Sequence, residues 1–221
     1  MNFIIAPSIL SADFCKLSEE LKKIGKFPDS WVHLDIMDGS FVPVITFGSP
    51  LVKSIRKHSS NIFDVHLMVN SPEKQIPLFA SAGADYITFH IESTNSPLNL
   101  INEIKNTNLK TGVSLRPSTP VSLIENLLPD LDLLLIMSVE PGASGQKFLE
   151  STFDRIKFIK AIKERKHLNL LISVDGGINE QTAEDVIEAG ADILVMGSYF
   201  FGTPFEEVEN FINGLRNKNT P

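Results

Sequence analysis

The feature that most constrains the fold is an alternation of short apolar runs and amphipathic segments along the whole chain. The apolar runs are rich in β-branched residues, and each is followed by a segment in which apolar residues recur at helical spacing. Runs that are apolar almost throughout are typical of parallel strands covered on both faces. The alternation therefore predicts consecutive strand–helix units and a parallel sheet.

Eight such units can be counted. The predicted strands are Phe3–Leu10, Trp31–Asp38, Ile62–Val69, Tyr86–Ile91, Thr111–Leu115, Leu133–Val139, Leu170–Val174 and Ile193–Gly197. The predicted helices are Leu17–Ile24, Pro50–His58, Pro72–Ala82, Pro97–Asn106, Val121–Leu127, Ser151–Lys166, Glu180–Ala189 and Phe205–Arg216. Two near-copies, Ala82-Gly83-Ala84-Asp85 and Ala189-Gly190-Ala191-Asp192, each place a glycine suited to a left-handed cap between a helix and a strand.

Eight consecutive units predict an α/β protein with a closed (β/α)8 barrel, known as a TIM barrel. We expect residues 1–221 to form a single domain of this kind, and the length of 221 residues is usual for one. An open doubly wound sheet is the alternative. It would more naturally carry a Gly-x-Gly-x-x-Gly turn after its first strand, and Ala6-Pro7-Ser8-Ile9-Leu10 offers none.

Composition and charge exclude some classes of function. Lys and Arg total 20 against 27 Asp and Glu, and the net charge of −7 argues against a nucleic-acid partner. No apolar run reaches the ~18 residues of a membrane span, and the first residues lack the pattern of a signal peptide. The single cysteine, Cys15, excludes an intramolecular disulfide. We expect a soluble cytoplasmic protein with no membrane partner.

Four titratable side chains lie in the later halves of the predicted strands. His33 and Asp35 are two residues apart and so share one strand face, while His66 lies in the third run and Asp175 ends the seventh. Each alone is explained by a core histidine or a turn-forming aspartate. Active sites of such barrels lie at the carboxyl ends of the strands, so we expect the four to meet. Two histidines and two aspartates suit one divalent ion, with Zn2+ or Fe2+ favoured and Mn2+ or Co2+ as alternatives.

The two aspartates also suggest a reaction. Asp35 comes from the second strand and Asp175 from the seventh, roughly across the barrel mouth from each other. A substrate between them would meet a carboxyl group on each face. One carboxyl group could remove a carbon-bound proton while the other returned a proton to the opposite side, which inverts a stereocentre. The metal would polarise a carbonyl or enediolate oxygen.

Glycine-rich loops follow the sixth, seventh and eighth strands. Barrel phosphate sites are often built from the last two of these loops, with backbone N–H groups as donors. Tight turns would explain a single loop of this kind, but three adjacent loops favour a phosphate site. Its predicted residues are Gly142, Ala143, Ser144, Gly145, Gly176, Gly177, Gly197 and Ser198.

Three methionines, Met37, Met68 and Met137, stand near the same polar mouth on strands two, three and six. They are explained equally well as core filler and as a soft apolar floor beneath a substrate.

Seven ordered segments resemble the ribulose-phosphate 3-epimerase family, and together they extend over nearly the whole chain. They are Ala6-Pro7-Ser8-Ile9-Leu10-Ser11-Ala12-Asp13, His33-Leu34-Asp35-Ile36-Met37-Asp38-Gly39, Phe41-Val42-Pro43, Ile45-Thr46-Phe47-Gly48, His66-Leu67-Met68-Val69, Val139-Glu140-Pro141-Gly142 with Gly145-Gln146-Lys147-Phe148, and Val174-Asp175-Gly176-Gly177-Ile178.

The resemblance implies an isomerase of the pentose phosphate pathway that interconverts D-ribulose 5-phosphate and D-xylulose 5-phosphate at C3. It implies that His33, Asp35, His66 and Asp175 hold the metal and that the two aspartates are the acid/base pair. It also implies that Ser8 and His66 contact the sugar phosphate, and it favours the same role for Met37, Met68 and Met137. We further expect a homo-oligomer.

The sequence departs from the family pattern at several positions. The phosphate loop usually reads Gly-Phe-Gly-Gly and here reads Gly142-Ala143-Ser144-Gly145. Ser40 stands where the family often has histidine, and Val44 where it often has asparagine. The segment Ser198-Tyr199-Phe200-Phe201-Gly202 is bulkier than usual. None of these changes affects the four expected ligands.

Three other functions remain open at this point. A D-allulose 6-phosphate 3-epimerase would use the same metal and carboxylates. A metal-free decarboxylase or aldolase would need an Asp-x-Lys-x-x-Asp motif, and Asp35-Ile36-Met37-Asp38 has methionine at the lysine position. A sugar-phosphate or metal-binding protein without activity would not need an intact acid/base pair.

Overall fold

The computed structural model describes residues 3–143 and 145–218. Within these ranges the chain forms one parallel sheet of eight strands, β1 to β8. They are Ile4–Pro7, Trp31–Met37, Ile62–Met68, Tyr86–His90, Lys110–Leu115, Leu133–Met137, Leu171–Asp175 and Ile193–Met196. The strand order is β1-β8-β7-β6-β5-β4-β3-β2, and a parallel bridge between Ser8 and His33 joins the two ends of this order. The arrangement is a (β/α)8 barrel, as the sequence predicts.

Helices connect most successive strands. The α-helices of the described residues, α1 to α8, are Leu17–Ile24, Ser49–Arg56, Ile76–Ala82, Pro97–Asn106, Ser151–Arg165, Ala183–Ala189, Ser198–Gly202 and Phe205–Lys218. Gly83 and Gly190, which end α3 and α6, have φ of +96° and +121°, so the predicted left-handed character of these two positions is confirmed. Within the described ranges, none of the helices has the length and apolar character needed to span a lipid bilayer.

One predicted helix is wrong. The segment Val121–Leu127 contains a short 3-10 helix at Val121–Ile124, and a second 3-10 helix follows at Leu128–Asp130. Prolines at 120 and 129 bound this segment, and a residue that precedes proline is disfavoured in the α conformation. Pro129 therefore disfavours the α conformation at Leu128 and limits how far a helix that starts after Pro120 can extend. The opposite error occurs after β8, where α7 forms without having been predicted.

Apolar side chains fill both faces of the sheet. The layer between strands and helices holds most of the buried aliphatic residues. A second cluster lies inside the barrel and includes Ala6, Trp31, Leu135, Met137 and Val195. Because the strands are covered on both faces, every residue of β2 is buried. Polar side chains within these strands therefore lie in an enclosed, mostly apolar environment.

Candidate active site at the carboxyl ends of the strands

Four polar side chains meet where β2, β3 and β7 end. His33, Asp35, His66 and Asp175 each offer one nitrogen or oxygen atom, and these atoms all lie within 4.8 Å of one another. The strand register explains the meeting, because Asp35 stands directly opposite His66 in the pairing of β2 with β3. The structure thus brings together the four residues that the sequence singles out. We call them the His–Asp cluster.

His33 turns one nitrogen towards the cluster and the other away from it. Its Nδ1 lies 2.8 Å from Oδ2 of Asp64, and both side chains are fully buried. Its Nε2 lies 3.3 Å from Oδ1 of Asp35 and has no hydrogen-bond partner in the described part of the chain. Metal-ligating histidines commonly donate their other ring N–H to a carboxylate in this way. The buried nitrogen without a partner fits a site for a divalent cation.

His66 also has two different neighbours. Its Nδ1 lies 3.0 Å from Oδ1 of Asp35 and 3.9 Å from Oδ2 of Asp175. Its Nε2 lies 2.9 Å from Nε2 of His90, which stands at the end of β4. The Nδ1 atom is therefore the nitrogen of His66 that belongs to the cluster.

The electrostatics push the pKa values of the two carboxyl groups apart. Burial alone would raise the pKa of Asp35, but the charges and hydrogen bonds of His33 and His66 outweigh it and hold this pKa far below its ordinary value. Burial, and then the negative charge of Asp35, raise the pKa of Asp175 to about 6. One carboxyl group that ionises readily beside one that holds its proton longer is typical of an acid/base pair.

Charge also affects the imidazole of His33. Burial lowers its pKa, but Asp35 and Asp64 together outweigh burial and raise the pKa well above the ordinary value. The cluster without metal therefore favours a bound proton at His33. A divalent cation would replace that proton when it binds.

Ser8, which follows β1, lies against the same carboxylate. Its hydroxyl donates to Oδ2 of Asp35 at 2.5 Å, and its side chain is buried. Because Oδ1 of Asp35 faces the two histidines, the Ser8 hydroxyl fixes the orientation of the second oxygen.

A pocket of about 550 Å³ opens above the cluster, and Ser8, Asp35 and Asp175 form part of its wall. The predicted residues that also line it are Met37, Met68, Met137, Gly142, Ala143, Gly145, Gly176, Gly177, Gly197 and Ser198. Ser144, predicted for the phosphate site, lies outside the described residues. His33 and His66 are fully buried and are not part of the pocket wall.

Gly177 shows why glycine is required after β7. Its φ is +64°, and an added Cβ atom would lie 2.7 Å from the backbone nitrogen of Phe148 and 3.0 Å from the carbonyl oxygen of Gln146. Both the left-handed conformation and the close approach of another backbone exclude a side chain here. The turn and the loop contact thus explain this glycine independently of any ligand.

The departures Ser40 and Val44 lie in the loop after β2. Asp38 accepts hydrogen bonds from the backbone N–H groups of Ser40, Phe41 and Asn70, and the Ser40 hydroxyl accepts one from the Asn70 side chain. Neither Ser40 nor Val44 lines the pocket. Ala143, which departs from the family pattern in the loop after β6, does line the pocket.

Asp64, His90 and Glu92 were missed by the sequence-based prediction. Asp64 and His66 have the same two-residue spacing as His33 and Asp35, which would have placed Asp64 on the inner face of β3. His90 is a histidine at the end of an apolar run, and His66 is a histidine within one. Glu92 also stands two residues after His90, but it lies beyond β4 in the 3-10 helix Ile91–Ser93, where this spacing does not place two side chains on one strand face.

Comparison with known proteins identifies the family of the chain. The model of the Ribulose-phosphate 3 epimerase family matches residues 4–201. The ribulose-phosphate 3-epimerase of Bacillus subtilis is 47% identical over 199 residues, which cover 90% of this chain and 92% of that protein. The protein of the same name from Treponema pallidum is 44% identical over 200 residues, with 90% and 92% covered.

Solved structures add a fold comparison. A mutant tryptophan synthase alpha-subunit from Pyrococcus furiosus aligns with a TM-score of 0.69 at 14% identity, covering 98% of this chain and 95% of that one. At this identity the likeness shows the barrel fold alone. The family model and the two relatives, by contrast, match in sequence over most of the chain, and the chain belongs to the ribulose-phosphate 3-epimerase family.

Proposed function

We propose that the protein is a metal-dependent epimerase that interconverts D-ribulose 5-phosphate and D-xylulose 5-phosphate by inversion at C3. The observation that carries the proposal is the meeting of two carboxylates and two imidazoles within 4.8 Å beside the pocket. The family and the names of its relatives supply the class of substrate. The two carboxylates supply the chemistry.

In the proposed reaction, Asp35 and Asp175 exchange protons with opposite faces of C3. The ionised carboxylate of Asp35 removes the C3 proton, which is acidic because C2 carries a carbonyl group. The electron pair left behind gives an enediolate. The protonated carboxyl group of Asp175 then returns a proton to the other face of C3, and the configuration is inverted. In the reverse direction the two groups exchange roles.

The His–Asp cluster is the proposed metal site. His33 Nε2, His66 Nδ1 and one oxygen each of Asp35 and Asp175 would hold the ion. When bound, a divalent cation supplies Lewis-acid stabilisation of the negative charge that develops on the substrate oxygens. We propose Zn2+ or Fe2+, with Mn2+ or Co2+ as alternatives, because a mixed nitrogen and oxygen donor set suits these ions.

Other pocket residues would position the sugar phosphate. The backbone around Gly142, Ala143, Gly145, Gly176, Gly177, Gly197 and Ser198 is proposed to bind the phosphate, and Ser144 stays a prediction. Met37, Met68 and Met137 are proposed to lie beneath the sugar, where they would limit the access of water to the enediolate. Ser8 is proposed to contact the substrate while it orients Asp35. The buried position of His66 supports its role as a metal ligand more than a substrate contact.

The remaining expectations stay predictions. These are a single catalytic domain over residues 1–221, a homo-oligomer, a cytoplasmic location and a place in the pentose phosphate pathway. The single eight-stranded sheet supports the first of them.

The proposal is tested with protein loaded with Zn2+ or Fe2+. Formation of xylulose 5-phosphate from ribulose 5-phosphate is measured beside the turnover of D-allulose 6-phosphate, and incorporation of solvent deuterium at C3 is followed by NMR. We expect faster turnover of the pentulose phosphate, together with deuterium in the product. Faster turnover of the hexulose phosphate would favour the alternative epimerase, and the absence of label would mean that the protein only binds its ligand.

The acid/base role is tested by Asp175→Asn. This variant keeps the shape of the side chain but cannot deliver or accept the proton, so we expect turnover to fall by about 10³-fold. Asp185→Asn makes the same chemical change on the exposed side of α6 and serves as the matched control. Near-normal turnover of a folded Asp175→Asn protein would refute the assigned role.

A further inference from the structure

His66 has a neighbour whose function the proposed reaction leaves open. Nε2 of His66 and Nε2 of His90 are 2.9 Å apart, and both side chains are fully buried. A hydrogen bond between two ring nitrogens contains one proton, so one imidazole must donate and the other must accept. The direction of this bond determines which nitrogen of His66 carries the proton and which carries a free lone pair.

The far side of His90 determines that direction. Nδ1 of His90 lies 3.2 Å from Oε2 of Glu92. Oε1 of Glu92 already accepts hydrogen bonds from the Arg116 backbone N–H, at 2.9 Å, and from the Thr119 hydroxyl. These donors favour the ionised carboxylate, which can only accept. The proton of His90 therefore lies on Nδ1, and its Nε2 accepts.

The same logic continues to His66. Since His90 Nε2 accepts, His66 Nε2 must donate, and the neutral imidazole of His66 then has its lone pair on Nδ1, 3.0 Å from Oδ1 of Asp35. Two lone-pair acceptors that face each other need a proton or a metal ion between them. Without metal a proton fills this place, and a divalent cation would displace it. The Ser114 hydroxyl lies 3.3 and 3.2 Å from the two nitrogens of His90, and it can rotate to suit either arrangement, so it does not set the direction.

We propose that His90 and Glu92 are positioning residues that hold the proton of the neutral His66 imidazole on Nε2, so that its Nδ1 lone pair is directed at Asp35 and Asp175 to ligate the divalent cation. This inference rests on the proposed metal-dependent function. Asp64 holds the other ring nitrogen of His33 by direct contact at 2.8 Å, whereas Glu92 acts on His66 through a second imidazole. Outer partners of this kind are commonly worth 10- to 100-fold in metal affinity.

The test uses the full-length protein and Zn2+ alone. The Zn2+ dissociation constant is measured by competition with a chromogenic chelator for the wild type, His90→Phe and Glu92→Gln. We expect both variants to bind Zn2+ 10- to 100-fold more weakly and to recover most of their turnover at saturating Zn2+. Ser114→Ala, which removes a contact to the same ring that does not set the direction of the bond, is the matched control and should stay within about 2-fold of wild type.

A second readout does not depend on the variants. In the Zn2+-loaded wild type labelled with 15N-histidine, we expect protons on Nε2 of His66 and Nδ1 of His90. A proton on Nε2 of His90, or variants that fold and bind Zn2+ as the wild type does, would overturn the inference but not the proposed function. A wild type that binds no divalent ion and has no turnover would overturn both.

Discussion

Asp35 touches polar side chains from three elements, and Asp175 faces the charge that results. Ser8 donates to one oxygen of Asp35, while His33 and His66 lie beside the other. These contacts stabilise the ionised form of Asp35, and its charge in turn raises the pKa of Asp175. The two aspartates have the same chemistry in solution. Their neighbours make their pKa values different enough for the proposed division into acid and base.

At the residue scale, Gly177→Ala tests the geometry of the loop after β7. The left-handed φ of +64° and the 2.7 Å approach to the Phe148 nitrogen should make alanine destabilising by about 2 kcal/mol, as measured by urea unfolding. Gly214→Ala is the matched control, because an added Cβ atom there meets open space on α8, and it should stabilise the protein by about 0.5–1 kcal/mol. Equal unfolding midpoints for the two variants would contradict this account.

The sequence predicts the His–Asp cluster because residue type and strand face are both visible in it. His33 and Asp35 had to share a face, and parallel strands had to end at one mouth. The outer partners are less visible. Glu92 lies beyond the end of β4, contacts His90 and accepts a hydrogen bond from the backbone N–H of Arg116, just after β5. Its role therefore depends on the geometry of the loops and not on residue spacing alone.

At the scale of elements, Glu92 joins the ends of β4 and β5. Its side chain is 22% exposed. Burial raises its pKa, but the hydrogen bonds from His90, Thr119 and the Arg116 backbone outweigh this effect and lower it to about 2. A folded-state pKa below the ordinary value gives stability that is present above about pH 4.5 and is lost as the pH falls towards 2.

Glu92→Gln should therefore lower the free energy of unfolding by about 1–2 kcal/mol at pH 7, allowing for screening by solvent. The difference from wild type should shrink steadily as the pH is lowered from 4.5 to 3. Urea unfolding at these pH values measures it, and Glu125→Gln, on an exposed ion pair, is the control. A difference that grows on acidification would contradict the assigned direction of the pKa shift.

The strands were predicted better than their connections. All eight predicted runs contain a strand, since buried parallel strands are apolar almost throughout. The predicted ends were often too long: the first run was expected to extend to Leu10, but the strand stops at Pro7 and a 3-10 helix begins at Ile9. The helix after β5 was predicted wrongly because apolar spacing was read without the limits set by its flanking prolines.

At the scale of the whole molecule, metal binding should be visible as stability. Without metal, the negative charge of Asp35 disfavours ionisation of Asp175 nearby. A bound cation would relieve this repulsion. At 100 times its dissociation constant, Zn2+ should add about 2.7 kcal/mol, or about 5–10 °C in Tm for a chain of this size. Scanning calorimetry with Zn2+ and with EDTA gives the comparison.

In the same experiment, Asp175→Asn separates the effect of charge repulsion between the aspartates from the effect of metal ligation. Removal of the repulsion should leave the Tm without metal at or above that of wild type, and loss of a ligand should reduce the gain produced by Zn2+. If the wild type melted at the same temperature with Zn2+ as with EDTA, the His–Asp cluster would not be a metal site.

The His–Asp cluster and the glycine-rich part of the pocket wall stand on different parts of the fold. The His–Asp cluster, of which Asp35 and Asp175 reach the pocket wall, stands on β2, β3 and β7, whereas Gly142 and Gly197 lie on loops beyond the strands. An engineer who wished to accept a longer or shorter sugar could graft new rim segments and leave the proton-transfer apparatus untouched.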